Sequence, residues 1–262
     1  MNILDISLGR LAAGYLLLAF PLGIIIWLRL PMLGQTLGAL ARMTLQLLFV
    51  GFYLQFIFDL DNFWITGGWI AIMLAVADVS IVRGARLRLK RAAPGLFLAL
   101  LLGTVIPLLV FVVLILPGAA AFKAQYLIPI GGMILGNCLR ADVIGLSHFY
   151  EALDKNESVY RLALAQGAGP GEALRPFVGD ACRAALIPTV ATMATIGLVS
   201  LPGMMTGVIL GGGNPMMAVR YQTAIMIAIF SGTALTVILA IYLTAWRNFT
   251  AFGTLDRGIF RE

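Results

Sequence analysis

The sequence predicts an all-α, polytopic transmembrane helical bundle of about seven spans, and three observations carry that prediction. Sixty-one per cent of the 262 residues are apolar and 11% are charged, against about 45–50% and about 25% in a soluble domain. Mean hydropathy is +0.98, which leaves too little polar surface to cover a globule in water. Charge-free runs approaching ~20 residues, the length that crosses a hydrocarbon core, recur along the chain. Together these exclude a soluble enzyme and a disordered or fibrous chain. Two cysteines exclude a disulfide scaffold and a four-thiolate zinc site, and one histidine excludes a multi-histidine metal cage. No strand-type alternation organises the runs, so a β-barrel is not expected. The net charge of +6 reads as topology, not as nucleic-acid affinity.

The runs follow in order. Residues 11–28 form the first. Residues 43–58 form the second, which lengthens to residue 37 if Arg42 is admitted. The third, 62–82, is interrupted by Asp78. The fourth, 96–116, is the cleanest. The fifth opens at 124–139 and can continue past Arg140 and Asp142. The sixth is 184–208 and the seventh 221–246. Met1 to Asp5 lacks the basic start of a cleaved signal peptide, so the first span is expected to remain in the mature protein. With no long linker, low-complexity tract or repeat, residues 1–262 are expected to form one membrane domain.

Basic residues resist translocation and accumulate on the cytoplasmic side. Arg83, Arg86, Arg88, Lys90 and Arg91 follow the third run with no acid among them, so that connection is expected to be cytoplasmic. Asp59 and Asp61, after the second run, are expected outside. Threading from these anchors puts the N-terminus outside. It puts residues 151–183 and the C-terminal tail, with Arg247, Arg257 and Arg261, in the cytoplasm.

Residues 151–183 are too few for an enzyme domain but enough for two short helices. Residues 157–166 read as an amphipathic helix with Val159, Leu162 and Ala163 on one face. Gly167 stops it, Gly169, Pro170 and Gly171 make a turn, and Glu172 begins a second helical stretch leading into the sixth run. Such a helix fits a connector lying on the membrane surface. It equally fits a coupling helix that passes force from a cytoplasmic partner into a spanning helix. The glycine run at Gly167 is no phosphate loop: it follows a helix, and no Gly-Lys-Ser/Thr occurs in the chain. Any ATPase must therefore be a separate subunit.

Three strings are distinctive. They are Ile-Pro-Ile-Gly-Gly-Met-Ile-Leu-Gly-Asn at 128–137, Arg-Ala-Ala-Leu-Ile-Pro-Thr-Val at 183–190, and Gly-Leu-Val-Ser-Leu-Pro-Gly-Met-Met-Thr-Gly at 197–207. With Pro215, Ala218, Tyr221 and Gln222, and with Arg42, Gln46 and Gly51, they closely resemble the FetB family of ABC-transporter permeases over nearly the whole chain. These are iron exporters related to plant aluminium-tolerance permeases. The segment around Gly167 looks like that family's Gly-Ala-x-Pro cytoplasmic turn. Cys138, Arg140 and Asp142 depart from the family's apolar pattern. The resemblance implies a homodimeric inner-membrane permease that exports metal ions, iron foremost, without catalysis of its own. Two copies of a FetA-like ATPase would bind ATP and Mg, and this chain would bind no cofactor. If the 157–166 helix and its turn are the coupling element, Glu157, Tyr160, Arg161, Leu162, Ala165, Gly167, Ala168 and Pro170 are the residues expected to carry that role.

Ionisable residues inside a membrane are costly and therefore functional candidates. Asp78 is either a cation way-station or a partner for Arg42 or the basic loop. Arg140 and Asp142, two apart, do not share a helix face and would pair with other helices or mark the membrane boundary. Arg10 is expected to snorkel. Met204 with Met205 and Met216 with Met217 offer soft thioethers, suited to metal ligation or to packing. Cys138 and Cys182 read as apolar residues, and His148 as a surface residue. Prolines and glycines at Pro188, Pro202, Pro215, Gly197, Gly203, Gly207 and 211–213 are expected to break helix around the sixth span and free carbonyls for a cation. Pro129, Gly131, Gly132 and Gly136 are expected to do so in the fifth. The candidate pathway is thus Asp78, Met133, Asn137, Pro202, Gly203, Met204 and Met205. An ion-gradient-driven transporter, with Asp78 coupling protons, and a non-transporting scaffold are the alternative classes.

Overall fold

A computed structural model describes residues 7–116, 118–249 and 254–260. Met1 to Asp5, with the expectations about a signal peptide and an external N-terminus, and the tail residue Arg261 lie outside the described residues. Helices account for nearly all of the described chain. In order they are α1 (Leu8–Gly14), α2 (Ala19–Trp27), α3 (Leu33–Leu60), α4 (Phe63–Gly84), α5 (Leu89–Val110), α6 (Ala124–Lys155), α7 (Glu157–Ala165), α8 (Pro170–Thr195), α9 (Gly203–Leu210) and α10 (Pro215–Asn248). Among the described residues, six segments are long and apolar enough to cross a membrane: Gly9–Trp27, Leu33–Leu60, Phe63–Gly84, Leu89–Ile115, Ala124–Lys155 and Pro215–Asn248.

The chain divides into two compact units, Met1–Leu60 with Leu210–Gly212, and Asp61–Ile209 with Gly213–Glu262. In the first, α1 and α2 are joined by a 3₁₀ turn at Tyr15–Leu18, and α3 runs through Arg42 without interruption. Tyr15 Oη and Thr44 Oγ1 lie 2.5 Å apart, a polar link in an otherwise apolar pair. Leu16, Phe20, Trp27, Phe49 and Phe52 are all exposed, as side chains facing lipid would be.

In the second unit α5 and α10 form the centre, and small residues set how closely they approach. A Cβ on Gly103 would stand 2.6 Å from Thr236 Cβ, and one on Gly232 2.7 Å from the Gly103 carbonyl oxygen. Gly95 repeats the arrangement against the Leu243 carbonyl at 3.0 Å. Such backbone contact is how helices pack where lipid is as apolar as their side chains. α4 and α6 complete the core around Leu74, Ile81, Leu96, Leu100, Ile134, Leu146 and Ile241. The end of α5 widens into a π turn at Phe111–Ile115, where the Leu116 amide donates to the Phe111 carbonyl.

The sixth run is where expectation and structure differ most. Residues 184–208 are not one helix. α8 starts at Pro170, passes through Arg183 and Pro188 unbroken, and stops at Thr195. Gly197 then takes φ +87°, a conformation that suits glycine, and its amide donates to the Ser200 carbonyl at 2.9 Å. After Pro202 the short α9 begins. Pro215 sits in the first turn of α10, where its missing N–H costs nothing. The helix breaks therefore fall at 196–202 and 211–214, not at Pro188. Pro129 likewise lies inside a continuous α6, which extends past Arg140 and Asp142 to Lys155.

Candidate functional site

α7 is held from one side and open on the other. Tyr160 is 1% exposed. Its ring meets Phe177 of α8 edge-on at 6.5 Å and Phe249, just after α10, at 6.0 Å. Ala163, Leu164 and Ala168 are partly buried beside it. Val159 and Leu162, by contrast, are 59% and 57% exposed, and Ser158, Arg161 and Ala165 join them on the open face. Burial holds the Tyr160 phenol above its ordinary pKa, so it stays neutral at cellular pH. Arg161 donates to Glu157 Oε1 at 2.6 and 3.0 Å, an i,i+4 pair that supports the helix by a few tenths of a kcal/mol, ~0.3–0.5. Ala163, expected on one face with Val159 and Leu162, lies instead with Tyr160 and Leu164 on the buried stripe, which has the same helical spacing.

The turn after α7 is rigid for a stated reason. The Ala168 amide donates to the Ala163 carbonyl and the Gly167 amide to the Leu164 carbonyl, with Gly167 at φ +93°. That is the double bond pattern of a Schellman cap, which requires a left-handed residue. One residue later the Gly169 amide donates to Glu172 Oε2 at 3.0 Å, with Pro170 opening α8. Leu162, Ala165, Gly167 and Pro170 are exposed and Glu157 is half-buried, while Tyr160 anchors the helix from inside.

The C-terminal segment docks on the basic turn, a feature the sequence reading missed. The Arg88 amide donates to the Ile259 carbonyl at 2.8 Å, and the Asp256 amide to the Asn248 carbonyl at 2.9 Å. Leu87 pairs with Phe260 and Phe249 with Leu255. Arg91 forms a short ion pair with Asp256. The Asp256 carboxyl is held below the ordinary range, first by the Gly258 amide and then by Arg91. Arg83, Arg88, Lys90 and Arg91 line a cleft of about 660 Å³ there.

Within the membrane helices the polar residues separate into distinct places. Asp78 on α4 is 6% exposed, and its Oδ1 has no hydrogen-bond partner. Asp142 is fully buried and accepts from Thr236 Oγ1 of α10 at 2.9 Å, so of the two readings for this acid it pairs with another helix. Arg140 donates to Asn137 Oδ1 at 3.1 Å, and Asn137 donates to the Met133 carbonyl at 2.7 Å. His148 is exposed and Cys138 is buried.

Two cavities follow α8. One, about 190 Å³, lies among α6, α8 and α10 and is lined by Asn137, Arg140, Pro188, Thr189, Thr192 and Met226. The other, about 260 Å³, lies among α8, α9 and α10 and is lined by Met193, Met205, Gln222, Thr223 and again Met226. The structure therefore sets Met205 beside Met193 and Met226. Met216 and Met217 are exposed at the start of α10, and Met204 packs on the core. Pro202 and Gly203 mark the start of α9. Among the described residues no group of three or more His, Cys, Asp or Glu side chains could hold a metal ion.

Six membrane-length apolar segments among the described residues define a multi-pass helical membrane protein. The chain belongs to the uncharacterised protein family UPF0014, whose model matches residues 8–249. It is 38% identical to a UPF0014 membrane protein of Synechocystis, over 89% of this chain and 90% of that one. It is 34% identical to the "Probable iron export permease protein FetB" of Escherichia coli, over 84% and 83%. It is also 33% identical to the "Protein ALUMINUM SENSITIVE 3" of Arabidopsis thaliana, over 82% and 77%. No solved structure matches the chain.

Proposed function

We propose that this chain is the permease subunit of an ABC transporter of the inner membrane. It exports metal ions, iron being the cation in the name of its E. coli relative, and is driven by a separate FetA-like ATPase that binds ATP and Mg. The observation that carries the reading is α7. It has an aromatic anchor on its inner side, Val159 and Leu162 exposed on its outer side, and a rigid capped turn into α8. Apolar side chains held out on a face read as cytoplasmic suit docking by a partner protein. Force on α7 reaches α8 through Phe177 and the Gly167 turn, and α8 lines both cavities. A push from the ATPase thereby alters the space through which a cation passes. The permease works as a homodimer with two ATPase copies.

The test is a paired substitution, Val159→Glu with Leu162→Glu. It leaves Tyr160 and the fold in place. The expected result is a normally melting permease that no longer copurifies with the ATPase and has lost ATP-dependent metal transport. Full transport in that variant overturns the coupling role. A second reading, transport driven by an ion gradient, is favoured by one observation, the buried and unpartnered Oδ1 of Asp78.

A further inference from the structure

We propose that the cavity among α8, α9 and α10 is a binding site for a soft monovalent cation of the Cu(I) class. The ligands are the thioethers of Met193, Met205 and Met226 and the amide oxygen of Gln222. Three of the nine residues lining this cavity are methionine, in a chain with 11 methionines among 262 residues. That concentration calls for a reason beyond gap-filling. Met226 and Gln222 are four apart on α10 and so occupy adjacent turns of one face. Met193 comes from the last turn of α8 and Met205 from the first turn of α9, brought together by the turn at Gly197.

Gln222 supplies an independent pointer. It is 7% exposed, and its Oε1 is buried with no hydrogen-bond partner. A buried acceptor left unmatched is open to a hydrogen-bond donor or to a ligand that presents positive charge. The neighbouring Thr223 hydroxyl does not serve it, because it donates to the Val219 carbonyl at 2.9 Å.

The donor set selects the cation. Soft thioethers favour Cu(I), whereas ferrous, zinc and aluminium ions want carboxylate, imidazole or several oxygens. Among the described residues no acid and no histidine lines the cavity, and no lysine or arginine lines it to repel a cation. The cavity that shares Met226 carries Arg140, whose guanidinium donates to Asn137 Oδ1, so a passing cation rests more favourably in the first than in the second. This site rests on the export reading only for its place in transport, since binding itself needs no motor.

Because a thioether does not titrate, affinity is flat between pH about 6 and about 8, unlike that of a histidine-dependent site. The experiment is competition for Cu(I) between bicinchoninate, under ascorbate, and the purified full-length permease, with neither ATP nor ATPase present. Wild type is expected to take one Cu(I) per chain with pH-independent affinity. Met193→Leu, Met205→Leu, Met226→Leu and Gln222→Leu each weaken binding by about tenfold or more, while Met216→Leu and Met217→Leu leave it unchanged. Leucine conserves volume, so the single variants keep their melting temperature. No Cu(I) retained by wild type, or binding undiminished in all four single variants, overturns the site and returns these methionines to packing. Either result leaves the ATPase-driven reading standing, and loss of ATP dependence leaves the Cu(I) result standing.

Discussion

Asp256 and Tyr160 fasten the same end of the molecule by different physics. Asp256 has its pKa lowered by the Gly258 amide and by Arg91. A lowered carboxyl stabilises the folded state above its unfolded pKa of ~3.9 and loses that contribution as pH falls through the folded value. Protease sensitivity of the C-terminal segment is therefore expected to be flat from neutral pH down to that range and to rise below it. Asp256→Asn is expected to show raised sensitivity already at neutral pH. A neutral-pH digest identical to wild type contradicts the clasp. Tyr160, raised by burial, contributes fully below its unfolded pKa and loses that contribution only as pH rises past its folded value, so it adds nothing to this acid transition. At this scale the sequence was partly legible. Met205 stands out in the Met204–Met205 pair, but adjacent residues on a helix face different ways. Its partners Met193 and Met226 come from other helices, and no spacing in the chain announces them. For Asp142 the sequence left open a partner on another helix or a place at the membrane boundary, and that its partner is Thr236 depends on the register of α6 against α10.

At the scale of elements, length and apolarity locate the membrane helices well, because every backbone group must be bonded within its own helix. Arg42, Arg140, Asp142 and Pro129 look like interruptions in the sequence. Each lies inside a continuous helix; Arg140 bonds Gly136 and Asn137 of its own helix, and Asp142 bonds Thr236 of α10. The sixth run misleads for the opposite reason. Residues 196–202 are apolar enough to continue a span, but the left-handed Gly197 and Pro202 turn the chain instead. The α5–α10 contact is also hidden, because glycine marks close approach only once the facing helix is known. It makes a definite prediction. Gly232→Ala places a methyl 2.7 Å from the Gly103 carbonyl oxygen and 2.9 Å from Ile134. It is expected to destabilise the fold by about 1–3 kcal/mol, as overpacking does. Gly171→Ala, with open space around it, serves as the control. Equal melting of the two variants contradicts the packing described.

For the whole molecule, the proposed coupling runs through one helix: α7 would receive a push, α8 pass it on and the cavities along α8 respond. The sequence pointed to α7 as a helix through its glycine stop and amphipathic pattern. It could not show the aromatic clamp of Phe177 and Phe249, because those residues are distant from Tyr160 in the chain. The central claim is that the energy for transport comes from ATP hydrolysed by another subunit. The measurement that tests it most directly is metal flux in proteoliposomes holding the permease and its ATPase, with ATP and a proton gradient supplied separately. The account predicts flux with ATP and no gradient, and none with the gradient alone. Flux that persists without ATP, runs on the gradient and is abolished by Asp78→Asn would contradict it.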